Sequence, residues 1–289
     1  MIDLQPEVVA AANAKSRRLR QLLHDPKILV MPGAYDVLSA RLFESLGFPA
    51  IQGTSGGIAA VHGLYDEELF GRDGTAEVYR EMAAAVAVPV NADGEKGYGG
   101  PDAMEATVRA FVAAGVAGMN LEDSDYHAHG TPMTLVPLSR QVEKIQAVMT
   151  AKAAIGSDFF LNARIDVFGT VGTHAEGMDE VIARGNAYAE AGADCIFIFR
   201  PGDRDCIRTL VREIRAPLSI LAGESSPPVL ELQELGVARV SYGSAFTRYA
   251  ISAVKTMAEA LQGGGDISGL IRESMPRDAF LRLLSGRPL

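Results

Sequence analysis

The chain has 289 residues, 48% hydrophobic and 22% charged, a balance that suits a globular protein with a sizeable core. Its Lys and Arg number 27 against 36 Asp and Glu, a net charge of −9. This argues against a nucleic-acid surface but leaves anionic ligands open, because a local metal or arginine overrides a global field. No run of about eighteen apolar residues marks a membrane span, and the polar start MIDLQPEVVAAANAKSRRLRQLL lacks the features of a secretory signal. Cys195 and Cys206 stand in no metal or redox pattern, so a cytoplasmic protein with reduced thiols is expected.

Short apolar runs recur along the chain, each closing in glycine or polar residues. They are ILVMPGAYD (28–36), PAIQGTSGG (49–57), VPVNADGE (88–95), GVAGMNLED (115–123), FFLNARID (159–166), CIFIFRPGD (195–203), PLSILAGE (217–224) and ARVSYGS (238–244). Their length and composition predict buried parallel strands. Between them, 36–47, 75–86, 103–115 and 177–192 repeat apolar residues at the spacing of one helix face. SLGFPAIQ, AAGVAGMN, EAGADCIF and ELGVARVS each read as a helix stopped by glycine and followed at once by a strand.

Eight such units predict an α/β fold, a (β/α)₈ TIM-type barrel with additional C-terminal helices. The expected organisation is one barrel domain over 1–289, with 245–289 as the added helices. No G-x-G-x-x-G follows the first strand, which counts against a dinucleotide site in an open sheet.

A barrel gathers the polar residues that end its strands on one face. Here these are Thr54, Ser55, Gly56 and Gly57, then Asp93 and Glu95, then Glu122 and Asp123, then Arg164 and Asp166. Asp93, Glu95 and Glu122 are hard oxygen donors that would repel one another without a cation between them. That composition points to Mg²⁺, with Mn²⁺ as an alternative. Arg164 is placed to fork a substrate carboxylate, and the Ser55-Gly56-Gly57 turn offers unobstructed backbone N–H groups. The competing expectation for any one acid is a helix cap or a surface ion pair. His127 and His129, in DYHAHGTPMT, are either proton carriers, zinc ligands or exposed loop residues. Asp66, in HGLYDEELF, is either a catalytic acid or a solvated loop carboxylate.

Taken together, these segments resemble the isocitrate lyase/phosphoenolpyruvate mutase superfamily from MPGAYDVLSARLFESLGF through SYGS. PGAYDVLSARL, which includes Tyr35, is similar to the family's opening motif, GTSGG to its keto-acid-binding turn, and NADGEKGYGG to its metal loop. NLED and LNARID resemble its third acidic position and its substrate arginine. The resemblance implies Mg²⁺ held by Asp93, Glu95 and Glu122. It also implies an α-keto acid or its enolate gripped by Ser55, Gly56, Gly57 and Arg164, with bond cleavage or formation beside it. It further implies a homotetramer, a dimer of helix-swapped dimers, with no nucleic-acid or membrane partner. Asp66 matches the acid of the gating loop. The lid departs from the pattern, since no K-[KR]-C-G-H is present. This marks a Cys-less branch in which His127 or His129 would supply the proton. The implied reactions are carbon–carbon lysis, decarboxylation or hydrolysis on an oxaloacetate-like or 2-hydroxy dicarboxylate substrate. A metal-dependent pyruvate aldolase and a non-catalytic keto-acid binder are the alternatives.

Overall fold

A computed structural model describes residues 2–125 and 130–286. Nine strands form one sheet: β1 (Leu29–Met31), β2 (Gly33–Ala34), β3 (Ile51–Gly53), β4 (Val90–Asp93), β5 (Gly118–Glu122), β6 (Phe160–Ile165), β7 (Cys195–Ile198), β8 (Leu218–Leu221) and β9 (Arg239–Ser241). Twelve helices accompany them: α1 (Pro6–Leu23), α2 (Val37–Ser45), α3 (Ser55–Val61), α4 (Arg72–Ala85), α5 (Met104–Ala113), α6 (Leu138–Ala154), α7 (His174–Glu190), α8 (Arg204–Glu213), α9 (Val229–Glu234), α10 (Ala245–Gln262), α11 (Ser268–Glu273) and α12 (Arg277–Leu284). All strand pairs are parallel, in the order β1-β9-β8-β7-β6-β5-β4-β3-β2.

The two ends of that order belong to one segment. The first expected strand is split at Pro32, which has no N–H to give to a ladder; its carbonyl still accepts from Gln52 N at 3.1 Å. β1 then pairs with β9 and β2 with β3, so the barrel closes through a two-part strand. Gly33 is needed at this seam, because a Cβ there would lie 2.1 Å from the Gly243 carbonyl oxygen.

Helix starts follow local chemistry. Asp36 caps α2 by accepting from Ser39 N at 2.7 Å, while Ser39 Oγ accepts from Asp36 N at 3.2 Å. The same reciprocal cap, Thr173 with Glu176, starts α7 at His174, three residues ahead of the apolar repeat that predicts it.

The barrel interior is layered. At the N-terminal end, Leu19, Leu22 and Leu23 of α1 pack on Leu29, Met31, Ala117, Phe160 and Cys195. Ser16 Oγ donates to Ala117 O at 2.7 Å, and Arg20 forks Asp194 at 2.7 and 3.1 Å, so α1 plugs this end. The next layer is polar and buried: Gln52, Asn91, Asn120, Asn162, Ser219 and Arg239. A barrel interior is more often filled by branched apolar side chains. Two residues further along five of these strands stand Thr54, Asp93, Glu122, Arg164 and Ser241, on the same face by the two-residue period. The tail is different in character. α10 has no buried residue and exposes Phe246, Tyr249, Ile251, Val254 and Leu261, while α12 returns Leu283 to a buried position against α2. Among the described residues no helix is long and apolar enough to cross a membrane.

The plug is testable. Leu19→Ala is expected to destabilise the protein by about 3 kcal/mol, the usual scale for a fully buried leucine, read from urea unfolding. A loss below about 1 kcal/mol would show that α1 does not close the barrel.

Candidate active site

A cavity of about 420 Å³ opens at the C-terminal ends of the strands. Its walls include Thr54, Gly56, Asp66, Asp93, Asn120 and Arg164, with Phe197, Phe199 and Met133 on one side. Of the residues expected from sequence, these bring Thr54, Gly56, Asp66, Asp93 and Arg164 to one surface. Ser55 stands directly behind: its N and Oγ donate to Asp93 Oδ2 at 3.3 and 2.9 Å. Gly57 and Tyr35 pack against each other instead. A Cβ on Gly57 would meet Tyr35 Cβ at 2.8 Å and Thr247 Oγ1 at 2.6 Å. Gly56 is constrained by the cavity itself, since its Cβ would fall 2.8 Å from Asp66 Oδ2. His127 and His129 lie outside the described residues.

Glu95 and Glu122 are buried, stand outside the cavity's lining and already carry partners. Glu95 sits at φ 46° and accepts from Glu68 N at 2.6 Å and Tyr98 Oη at 3.3 Å. Glu122 pairs with Arg164 Nη1 at 2.6 Å and accepts from Ser124 Oγ at 3.0 Å. Arg164 is gripped from its other side by Asp166 Oδ1, at 3.1 Å to Nε and 2.7 Å to Nη2, and lies 4.6 Å over the Phe199 ring. Three of its five N–H groups are thus committed, leaving one on each terminal nitrogen.

Among the described residues, no group of three or more His, Cys, Asp or Glu side chains converges as a ready metal cage. Asp93 Oδ1 is nevertheless buried without a partner among them, in a wall of the cavity. A hard cation that takes one carboxylate oxygen and keeps its waters fits this position, with Glu95 and Glu122 near enough in the fold to hold such waters.

The electrostatics agree with crowding. Burial, then the Asp93 charge, pushes Asp66 up to about 6. Burial, then Asp66, pushes Glu95 up to about 8. Burial raises Glu122 well above the carboxylate range even though Arg164 opposes it.

The sequence places Asp123 and Asp166 at strand ends without a role, and Gln52, Asn120 and Ser241 not at all. Asp166 orients Arg164, and Asp123 in turn accepts from Asp166 N at 2.8 Å, Tyr188 Oη at 2.8 Å and Arg184 Nη1 at 3.1 Å. Gln52, Asn120 and Ser241 line the cavity from inside the barrel. The available signal was the two-residue period, which puts N-x-D, N-x-E and N-x-R on one face.

These features define an α/β-barrel protein with an acid-rich cavity at its strand ends. The family model described as phosphoenolpyruvate phosphomutase matches residues 19–262, and the chain belongs to that family of enzymes. It is 31% identical over 262 residues to 2,3-dimethylmalate lyase of Eubacterium barkeri, covering 88% of each chain. It is 32% identical to the chloroplastic carboxyvinyl-carboxyphosphonate phosphorylmutase of Arabidopsis thaliana, covering 88% of this chain and 78% of that one. Among solved structures, oxaloacetate acetylhydrolase with the inhibitor 3,3-difluorooxalacetate superposes with a TM-score of 0.81 at 27% identity, over 94% of this chain and 92% of that one.

Two outcomes follow from the titrating groups. Asp66 and Glu95 hold protons in the fold where unfolded carboxylates, with pKa values near about 4, have lost them. Between about pH 4 and pH 8 the folded state therefore binds more protons, and stability in EDTA falls as pH rises through this window. Calorimetry should show a lower Tm at about pH 8 than at about pH 5; a rise would contradict the crowding. Separately, burial pushes both Cys195 and Cys206 up to about 12. At about pH 8 neither thiol should react with Ellman's reagent until the protein is unfolded, and rapid native labelling would place a thiolate where we find none.

Proposed function

We propose that the chain is a Mg²⁺-dependent carbon–carbon lyase, with Mn²⁺ as a substitute, acting on an α-keto acid or 2-hydroxy dicarboxylate through an enolate. The observation that carries this reading is Asp93 Oδ1, an unpartnered carboxylate oxygen in the same cavity as the outer edge of Arg164. Mg²⁺ bound at Asp93, with Glu95 and Glu122 behind it, would supply Lewis-acid stabilisation of charge developing on the substrate oxygens.

The chain's own residues do the rest. The two free N–H groups of Arg164 bind the substrate carboxylate end-on, in a plane fixed by Asp166 and Phe199. In the Ser55-Gly56-Gly57 turn, where Ser55 N and Gly57 N already donate to Asp93 Oδ2 and Thr54 Oγ1, the Gly56 N–H completes the anion cradle. Asp66, raised toward neutrality, is matched to taking a hydroxyl proton as the carbon–carbon bond breaks. The bonding electrons pass to the carbon beside the carboxylate, and protonation of that carbon, assigned to His127 or His129, releases the product acid. The aromatic wall of Phe197 and Phe199 excludes water from one side.

The exposed apolar face of α10 fits exchange of α10–α12 with a second copy of the chain, building a homotetramer. The cytoplasm is the compartment in which two reduced thiols would persist.

Oxaloacetate, 2,3-dimethylmalate and related 2-keto and 2-hydroxy diacids, supplied with Mg²⁺ or EDTA, form the test, with products identified by mass spectrometry. Turnover to two acids that stops in EDTA, and that falls at least about 100-fold in Asp93→Asn, is expected. An aldehyde co-product would make the chain an aldolase. Tight binding without turnover across the panel would make it a keto-acid sensor.

A further inference from the structure

Arg239 is the largest fully buried side chain among the described residues, with no exposed surface. It projects from β9 into the polar layer beneath the cavity. Its Nη2 donates to Gln52 Oε1, while Nε and Nη1 have no hydrogen-bond partner among the described residues. No carboxylate among them forms an ion pair with it. Burying one unpaired guanidinium costs several kcal/mol, and a methionine of similar length would fill the space without that cost. Burial draws its pKa down to about 10, opposed by the Cys195 thiol and the Asp93 carboxylate, so it stays charged at neutral pH.

The layer around it leads upward. Gln52 Oε1 also accepts from Asn91 Nδ2 at 3.0 Å, Asn91 Nδ2 reaches Asn120 Oδ1 at 3.0 Å, and Asn162 Nδ2 reaches the same oxygen at 2.8 Å. Gln52 and Asn120 are cavity walls, as is Ser241, two residues after Arg239 on the same strand. The acids above outnumber the guanidiniums that touch them: Arg164 serves Glu122 and Asp166, and Arg184 serves Asp123. Among the described residues Asp93 has no guanidinium in ion-pair contact with it.

We propose that Arg239 is a positioning residue whose fixed positive charge, sealed under the cavity floor, offsets the Asp93 carboxylate and orders the Gln52–Asn120 floor against the bound anion. A buried cation in low dielectric acts over several ångströms with little screening. Its cost to the fold is retained because it serves the site. The part concerning the bound anion rests on the reading given under Proposed function.

Arg239→Met and Arg239→Lys, measured in the full chain, test this. Oxalate with Mg²⁺ is the probe, titrated calorimetrically. In Arg239→Met the Tm in EDTA should be unchanged or higher, while oxalate binds at least tenfold more weakly. Arg239→Lys, which keeps the charge, should recover most of the affinity. A structural role alone predicts the reverse, a lower Tm with wild-type affinity in the folded fraction, and that result overturns the proposal.

A ligand-free cycle separates this from the functional reading. Arg239→Met should raise Tm more in an Asp93→Asn background than in the wild type, because Asp93 no longer offsets the buried charge. If the wild type itself fails to bind oxalate, the lyase reading falls. The cycle then still decides the electrostatic claim, since additive shifts overturn it.

Discussion

The organising constraint is the burial of like charges. Asp93, Glu95, Glu122, Asp123 and Asp166 are all at most 9% exposed, and Asp66 crowds in beside them. Water cannot screen this group, so each member needs a local answer. The answers divide the site in two. On one side, Glu122, Asp166 and Asp123 are met by Arg164 and Arg184, forming a fixed scaffold. On the other, Asp93 and Glu95 accept only from hydroxyl and amide donors. Guanidinium pairing therefore gives a rigid wall, and where it is missing Asp93 Oδ1 is left without a partner among the described residues. The two halves meet at Arg164, which belongs to the wall and also lines the cavity.

The barrel's cross-section supports this division. The apolar plug of α1 anchors the lower end, where Leu19 and Phe160 are fully buried. A conventional apolar filling in the next layer would place the acid crowd directly on hydrocarbon. The amide layer of Gln52, Asn91, Asn120 and Asn162 instead grades the environment, linking four adjacent strands by side-chain hydrogen bonds. Such cross-strand bonds hold the floor in register, so the carboxylates two residues further on are set by strand geometry rather than by loops. Preorganisation of this kind is what an anion-stabilising site requires.

Much of this order can be read from the residues. VPVNADGE, GVAGMNLED and FFLNARID combine an apolar run with polar endings at fixed phase, and β4, β5 and β6 fall within them. The tip residues Asp93, Glu122 and Arg164 follow from that phase. Other features resist such reading. Pro32 splits the opening strand, and the consequence for barrel closure depends on Gly33 meeting Gly243 across the seam, a contact between residues far apart in sequence. Tyr35 and Gly57 sit in motifs that suggest ligand contact, yet they pack on each other, because motif membership does not specify the direction of a side chain. Arg239 within ARVSYGS looks like a strand-edge residue. Its total burial becomes visible only when β1, β8 and β9 are assembled.

Arg164 also sets limits on what the scaffold can accept. With Nε and Nη2 both bound to Asp166 Oδ1 and Nη1 bound to Glu122, the edge that carries Nε is closed to a ligand. Its plane is fixed by Asp166 and by Phe199 at 4.6 Å, beside Asp93 and Gly56 in the same cavity wall. This part of the geometry is made by strands and by the first turn of α3. What lies beyond it, including Met133, Tyr65 and Glu67 in the cavity wall, comes from connecting segments. A lyase, a mutase and a hydrolase built on one barrel are physically consistent with such a split. Strand ends bring a buried arginine and a carboxylate oxygen without a partner among the described residues to one cavity, and the loops supply the rest of its wall.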